Sequence, residues 1–185
     1  MLGRSFFPVA ALLAVSLLAA QPASAAATCH VQSGQYAETR TCVTSVLPSQ
    51  GRNAYGPDQI TGSGEGAWCE GANGPGVGEA VTLHQDPPQV IGSLIFANGY
   101  AKNSQTFRSN GRVKRARIET SGGYSREITL KDTAQFESIK LPPSNVAWVK
   151  LTILDVYRGA RHSDTCISKF YFDHEEFSAI EEPNE

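Results

Sequence analysis

The residue patterns that could perform catalysis are incomplete in this sequence. Gly74-Pro75-Gly76-Val77-Gly78 is glycine-rich, but a strand pattern starting near Ala80 follows it, so no helix N-terminus is available to receive a phosphate. His174-Glu175-Glu176 lacks the second histidine of a zinc-protease motif. His162-Ser163-Asp164 is consecutive, and a nucleophile, base and orienting acid rarely converge from adjacent positions. Glu70 and Glu79 could exchange protons with a substrate, yet carboxylates beside glycine loops more often accept bonds from loop amides. The four histidines (His30, His84, His162, His174) are scattered and no Cys-x-x-Cys spacing occurs, which leaves no metal-ligand set of the zinc type. No catalytic residue, metal or cofactor is expected, and the chain is read as a non-enzyme.

Groups suited to holding a ligand are better represented. Asn98-Gly99-Tyr100, Asn110-Gly111-Arg112 and Tyr157-Arg158-Gly159 each place an amide, guanidinium or aromatic ring at a loop between strands. Sugars are gripped by such groups: rings stack on aromatic faces, while Asn and Arg make paired hydrogen bonds to adjacent hydroxyls. Asn98, Tyr100, Asn110, Arg112, Tyr157 and Arg158 are therefore the candidate ligand-binding residues. Each also has a purely structural reading, because Asn-Gly forms turns whatever the function and a tyrosine at a strand end packs into the core.

The elements that would position these groups read as all-β. The stretch Ala67-Trp68-Cys69-Glu70-Gly71 through Gly74, Gly76, Gly78 and Glu79 packs a tight loop between a buried-type aromatic and the strand at Ala80. Short strands are expected at 80–84, 90–96, 113–120, 124–130, 136–141, 146–157 and 166–172. Asp86-Pro87-Pro88, Gly122-Gly123 and Pro142-Pro143 supply turns between them. Ala116 and Ile118 alternate with Arg115, Arg117 and Glu119, and Val149, Leu151 and Ile153 alternate with Lys150 and Thr152, the period of strands with one wet face. Only 101–109 has room for a helical turn. Strands at this spacing indicate a sandwich or barrel.

The ends and the charges bound the setting. Arg4, the apolar run from Phe6 to Ala20 and the small residues Ala23-Ser24-Ala25 form a cleavable signal peptide over 1–25. Export, to periplasm or medium, is the expected localisation, with no integral membrane span after cleavage. Of the 185 residues, all four cysteines lie in the mature part, where disulfides are permitted. Three pairings are possible; Cys29–Cys42, closing a local loop, and Cys69–Cys166, clasping the domain, are expected. A cysteine-bracketed segment over 26–44, one sandwich over 45–174 and an acidic tail over 175–185 make up the mature chain. The formal net charge of -2 argues against nucleic acid as a partner. Lys102, Arg108, Arg112, Lys114, Arg115 and Arg117 form either a solvated strand face or a cationic rim for an anionic ligand.

Ser45-Val46-Leu47-Pro48, Tyr55-Gly56-Pro57 and the Trp68-Cys69-Glu70-Gly71 loop belong to an ordered series of motifs. It continues through Asn98-Gly99-Tyr100, Asn110-Gly111-Arg112-Val113-Lys114 and Leu130-Lys131-Asp132 to Asp155-Val156-Tyr157-Arg158-Gly159 and Asp164-Thr165-Cys166-Ile167-Ser168. The series resembles the NAD-glycohydrolase translocation-type domain, a discoidin-like, galactose-binding-type family of the coagulation-factor type C group, from about Ser45 to Asp173. The resemblance implies a disulfide-stapled jelly-roll β-sandwich whose relatives bind carbohydrate on cell surfaces, and it implies no NAD hydrolysis, because the module sits beside the enzyme domain. The expected function is an exported, non-catalytic module for a glycan or other cell-surface ligand; the alternative is an envelope component that uses the same sandwich against a protein partner. The resemblance also implies a structural calcium near two places where this chain departs from its relatives: Thr61-Gly62 replaces an Asp-Gly pair and Lys169 replaces a Glu. An ammonium in place of a carboxylate removes a hard oxygen ligand, and no required calcium is expected.

Overall fold

The computed structural model describes residues 26–35 and 37–174. The expected signal peptide 1–25 and acidic tail 175–185 lie outside the described residues. Among the described residues eight strands carry the fold: β1 (Thr28–Ser33), β2 (Glu38–Val43), β3 (Trp68–Cys69), β4 (Ala80–Asn98), β5 (Gly111–Thr120), β6 (Ser125–Thr129), β7 (Phe136–Tyr157) and β8 (Thr165–Phe172). Two short helices interrupt them, α1 (Asp58–Thr61) and α2 (Ser104–Ser109). Strand order is β1-β2-β4-β7-β5-β8-β3, with β6 on β5 and a further β4–β8 pairing that folds the path back on itself.

β4 and β7 make this a sandwich. In β4, residues 81–86 pair with β2 and residues 80–84 with residues 148–152 of β7, whereas residues 94–98 pair with β8 and residues 93–97 with residues 136–140 of β7. Each long strand thus serves both layers, and the register shifts between His84 and Gln89 and between Ile91 and Ser93 mark the bend. The prolines expected to end strands do not end them: 86–88 and 142–143 run on as extended chain inside β4 and β7. Proline lacks an amide donor but tolerates extended φ, so it marks where the ladder is interrupted by a bulge.

Alternation sets the core. Val81, Leu83, Val149, Leu151, Ile153, Ala116 and Ile118 are fully or almost fully buried, while Lys150, Arg117 and Glu119 face out. Phe96 and Phe170 meet edge-on between the layers, their ring centroids 6.2 Å apart. Ile167 belongs to this main core, whereas Cys166 belongs to a satellite cluster with Tyr55, Ala67, Cys69 and Tyr100. The shift in β4–β8 register between Ala97 and Asn98 separates the two.

Both disulfides form as expected. Cys29–Cys42 cross-links opposite residues of the β1–β2 hairpin, and Cys69–Cys166 links opposite residues of β3 and β8. The hairpin is joined to the sandwich through the β2–β4 ladder. No described helix is long and apolar enough to cross a membrane.

Candidate functional site

The glycine loop before β4 is built around a carboxylate. Glu70 is fully buried, and its oxygens accept from the amides of Thr165 (3.0 Å) and Ala72 (2.8 Å). Gly76, with φ +72, passes so close that a Cβ would lie 2.5 Å from Glu70 Cγ. Glu79 accepts from the hydroxyls of Thr44 (2.6 Å) and Ser45. Both carboxylates therefore hold loops. Trp68 Nε1 donates to the Ser45 carbonyl at 2.8 Å, which anchors the incoming chain beside β3.

That scaffold displays a cleft of about 340 Å³ at the end of the sandwich where β4 gives way to α2. Tyr55 and Tyr100 form one side, edge-on at 6.2 Å between ring centroids and 87° between planes. Burial raises both phenols above the ordinary tyrosine range; the neighbouring Tyr100 and the charge of Asp164 add to this at Tyr55, against a bond with Asn53 that lowers it, and the charge of Glu65 adds at Tyr100. Both hydroxyls therefore stay protonated as donors. Arg161 and His162 of the loop 158–163 also line the cleft, and this loop lies against the end of α2: the amides of Ala160, Arg161 and His162 donate to the carbonyls of Arg108 and Ser109. Gly159 permits this approach, since a Cβ there would come within 2.4 Å of the Ser109 carbonyl oxygen. The helix is fixed in turn by a reciprocal cap between Asn103 and Thr106.

Exposed polar groups converge on this cleft. Gln50, Asn53, Arg161 and His162 line it with exposed side chains, together with half-buried Asp164. A second hollow, of about 400 Å³, shares Arg161 and His162 and takes in Gly74, Pro75 and Arg158. The loop 158–163 is the ridge between the two.

The six expected binding residues divide sharply. Tyr100 and Asn110 line the first cleft, and exposed Arg158 lines the second. Asn98 is fully buried: its Nδ2 donates to the carbonyls of Val113 (2.7 Å) and Lys131 (3.0 Å), and its Oδ1 accepts from the Val113 amide (2.8 Å). Arg112 is a bracket. It grips both oxygens of Asp132 at 2.9 Å, donates to the Asn110 and Arg158 carbonyls, and lies 5.3 Å from the Phe107 ring centre. Tyr157 donates its hydroxyl to the Leu130 carbonyl at 3.1 Å. Asn98, Arg112 and Tyr157 thus fix the loops that carry the cleft. Gln50, Asn53 and Arg161 escape a sequence reading, because nothing in their local pattern distinguishes them from ordinary loop residues, and His162 is weighed there only for catalysis and metal binding.

The basic cluster is largely neutralised on the strand face. Arg115 and Arg117 both bind Glu127 (2.9 and 3.0 Å), and Lys114 binds Asp155 at 3.1 Å. Bonds from Arg117 and Arg115 hold the Glu127 carboxyl below its usual range. Among the described residues no group of three or more His, Cys, Asp or Glu side chains is placed to hold a metal ion. At the position where the fold family implies calcium, the Lys169 ammonium lies against backbone carbonyls, so the residues present do not fit a divalent cation.

A family model described as NAD glycohydrolase translocation F5/8 type C domain matches residues 33–173. Several solved structures share the fold. The Clostridium perfringens module CpGH89CBM32-5, in complex with GalNAc-β-1,3-galactose, has 15% identity and a TM-score of 0.55, over 72% of this chain and 94% of that one. The family 32 carbohydrate-binding module of Clostridium perfringens NanJ, in complex with galactose, has 15% identity and a TM-score of 0.54, over 72% and 92%. The family 32 module of Streptococcus pneumoniae EndoD has 11% identity and a TM-score of 0.54, over 73% and 96%. No curated protein matches.

Proposed function

We propose that this chain, which belongs to the NAD glycohydrolase translocation F5/8 type C domain family, is an exported, non-catalytic binding module that holds a carbohydrate in the cleft beside Tyr55 and Tyr100. The observation that carries this reading is the cleft itself. Its walls are fixed by buried brackets, and its exposed groups are amides, a guanidinium, an imidazole and a carboxylate. Such a set satisfies the mixed donors and acceptors of neighbouring sugar hydroxyls, with two protonated phenols adding donors at one side. Support comes from the fold shared with modules whose structures hold galactose or GalNAc-β-1,3-galactose. The two disulfides suit an oxidising, extracytoplasmic setting.

Binding of the oxidised protein to an array of neutral and acidic glycans is the expected outcome. Arg161→Ala, on an exposed side chain, weakens the selected glycan about tenfold, the loss of one charge-assisted bond, and leaves thermal unfolding unchanged. Arg112→Ala lowers the melting temperature instead. An array without hits overturns the reading and leaves the protein-partner alternative, for which a salt-sensitive pull-down is the test.

A further inference from the structure

From β8, the Lys169 side chain reaches α1 and the turn that follows it. Its Nζ donates to the carbonyls of Gln59 at 3.4 Å, of Gly62, and of Gly64 at 2.9 Å. Three backbone oxygens, one from α1 and two from the turn after it, therefore point at a single place, and a positive charge occupies it. Beyond α1, Gly62-Ser63-Gly64 is poor at holding a shape on its own: two glycines in three residues raise the entropy lost on ordering. Carbonyl dipoles crowded together repel unless a cation sits between them, and converged carbonyls are the donor type a hard cation takes. We propose that the 59–64 turn is a cation cradle and that the chain fills it with its own ammonium, from Lys169, in place of a metal ion.

The consequence reaches the cleft. The turn follows Tyr55-Gly56-Pro57 and leads into Ala67-Trp68-Cys69, and the next residue on β8, Ser168, donates to the Gly99 carbonyl at 2.8 Å and accepts from the Ala101 amide at 2.7 Å. Lys169 and Ser168 thus fasten the two segments that carry Tyr55 and Tyr100. A tethered ammonium sets that side of the cleft at any calcium concentration.

Thermal unfolding of the oxidised protein, with calcium chloride and with chelator, tests the idea on the native chain and on Lys169→Met and Lys169→Glu. The native melting temperature is expected to be the same in both. Lys169→Met melts lower, because the carbonyls lose their cation at nearly constant side-chain volume. Lys169→Glu melts lower in chelator and recovers in calcium, since a carboxylate added to three carbonyls completes a hard oxygen set. A native protein that gains stability from calcium, a Lys169→Met variant as stable as the native chain, or a folded Lys169→Glu variant indifferent to calcium overturns the proposal. Should the variants not fold, amine acylation of the native protein followed by peptide mass mapping decides: Lys169 reacts more slowly than exposed Lys102, and equal rates overturn it.

Discussion

Side chains of one chemical type do opposite work here, and their surroundings alone separate them. Asn98 and Asn110 both precede glycine at a strand end, yet Asn98 is sealed into the β5 ladder while Asn110 borders the cleft. Asn98→Ala would leave the Val113 amide and two carbonyls without partners, and a loss of about 3 kcal/mol is expected in denaturant unfolding. Glu70 makes a prediction with a sign. Burial raises its carboxyl above the ordinary 4.5, the bonds from Thr165 and Ala72 opposing only in part. The folded state then binds more protons than the unfolded state between 4.5 and the raised value, so stability falls as pH rises through that window. Glu70→Gln is expected to flatten that slope, measured as unfolding midpoints across the acid range, and to lower stability throughout, because an NH₂ replaces one acceptor of a backbone amide. Local sequence could supply the residue types at these positions. It could not say which of them the fold would bury, since that depends on partners such as Asp132, twenty residues beyond Arg112.

At the level of elements, the strands of the two wet faces were legible because their alternation is local: Arg115, Arg117 and Glu119 outward against Ala116 and Ile118 inward is a pattern any five residues display. The continuity of β4 and β7 was not. Asp86-Pro87-Pro88 reads as a stop, and only the neighbouring strands, absent from a local window, turn it into a bend. Helix α1 was missed for a related reason: four residues carry too little periodicity to detect, and tertiary contacts hold it, with Ile60 fully buried. Of the three possible pairings, the observed one was the expected one because it combines a local loop at Cys29–Cys42 with a clasp between distant strands at Cys69–Cys166. That link closes a loop with a sequence separation of 97, and the chain-entropy model assigns it about 4–5 kcal/mol. Replacing both cysteines by alanine is expected to lower stability by that order in urea unfolding.

For the molecule as a whole, the division of labour is between a rigid body and one decorated end. The main core is continuous from Val43 to Phe172 and draws on both layers, whereas the cleft rests on the small cluster of Tyr55, Ala67, Cys69, Tyr100 and Cys166. Along β5 three cations share two carboxylates, Lys114 with Asp155 and both Arg115 and Arg117 with Glu127, so the charge of the strand face is mostly offset locally. β3, for its part, contributes only two residues to the sheet. The excursion between β2 and β4 is therefore moored at scattered points rather than along a ladder: Trp68 and Ile60 in the core, Glu70 on the Thr165 amide, Lys169 on the carbonyls of Gln59 and Gly64, and one sulfur bond. A reductant would cut the covalent mooring alone, and the side of the cleft built on Cys69 and Cys166 would loosen ahead of the main core.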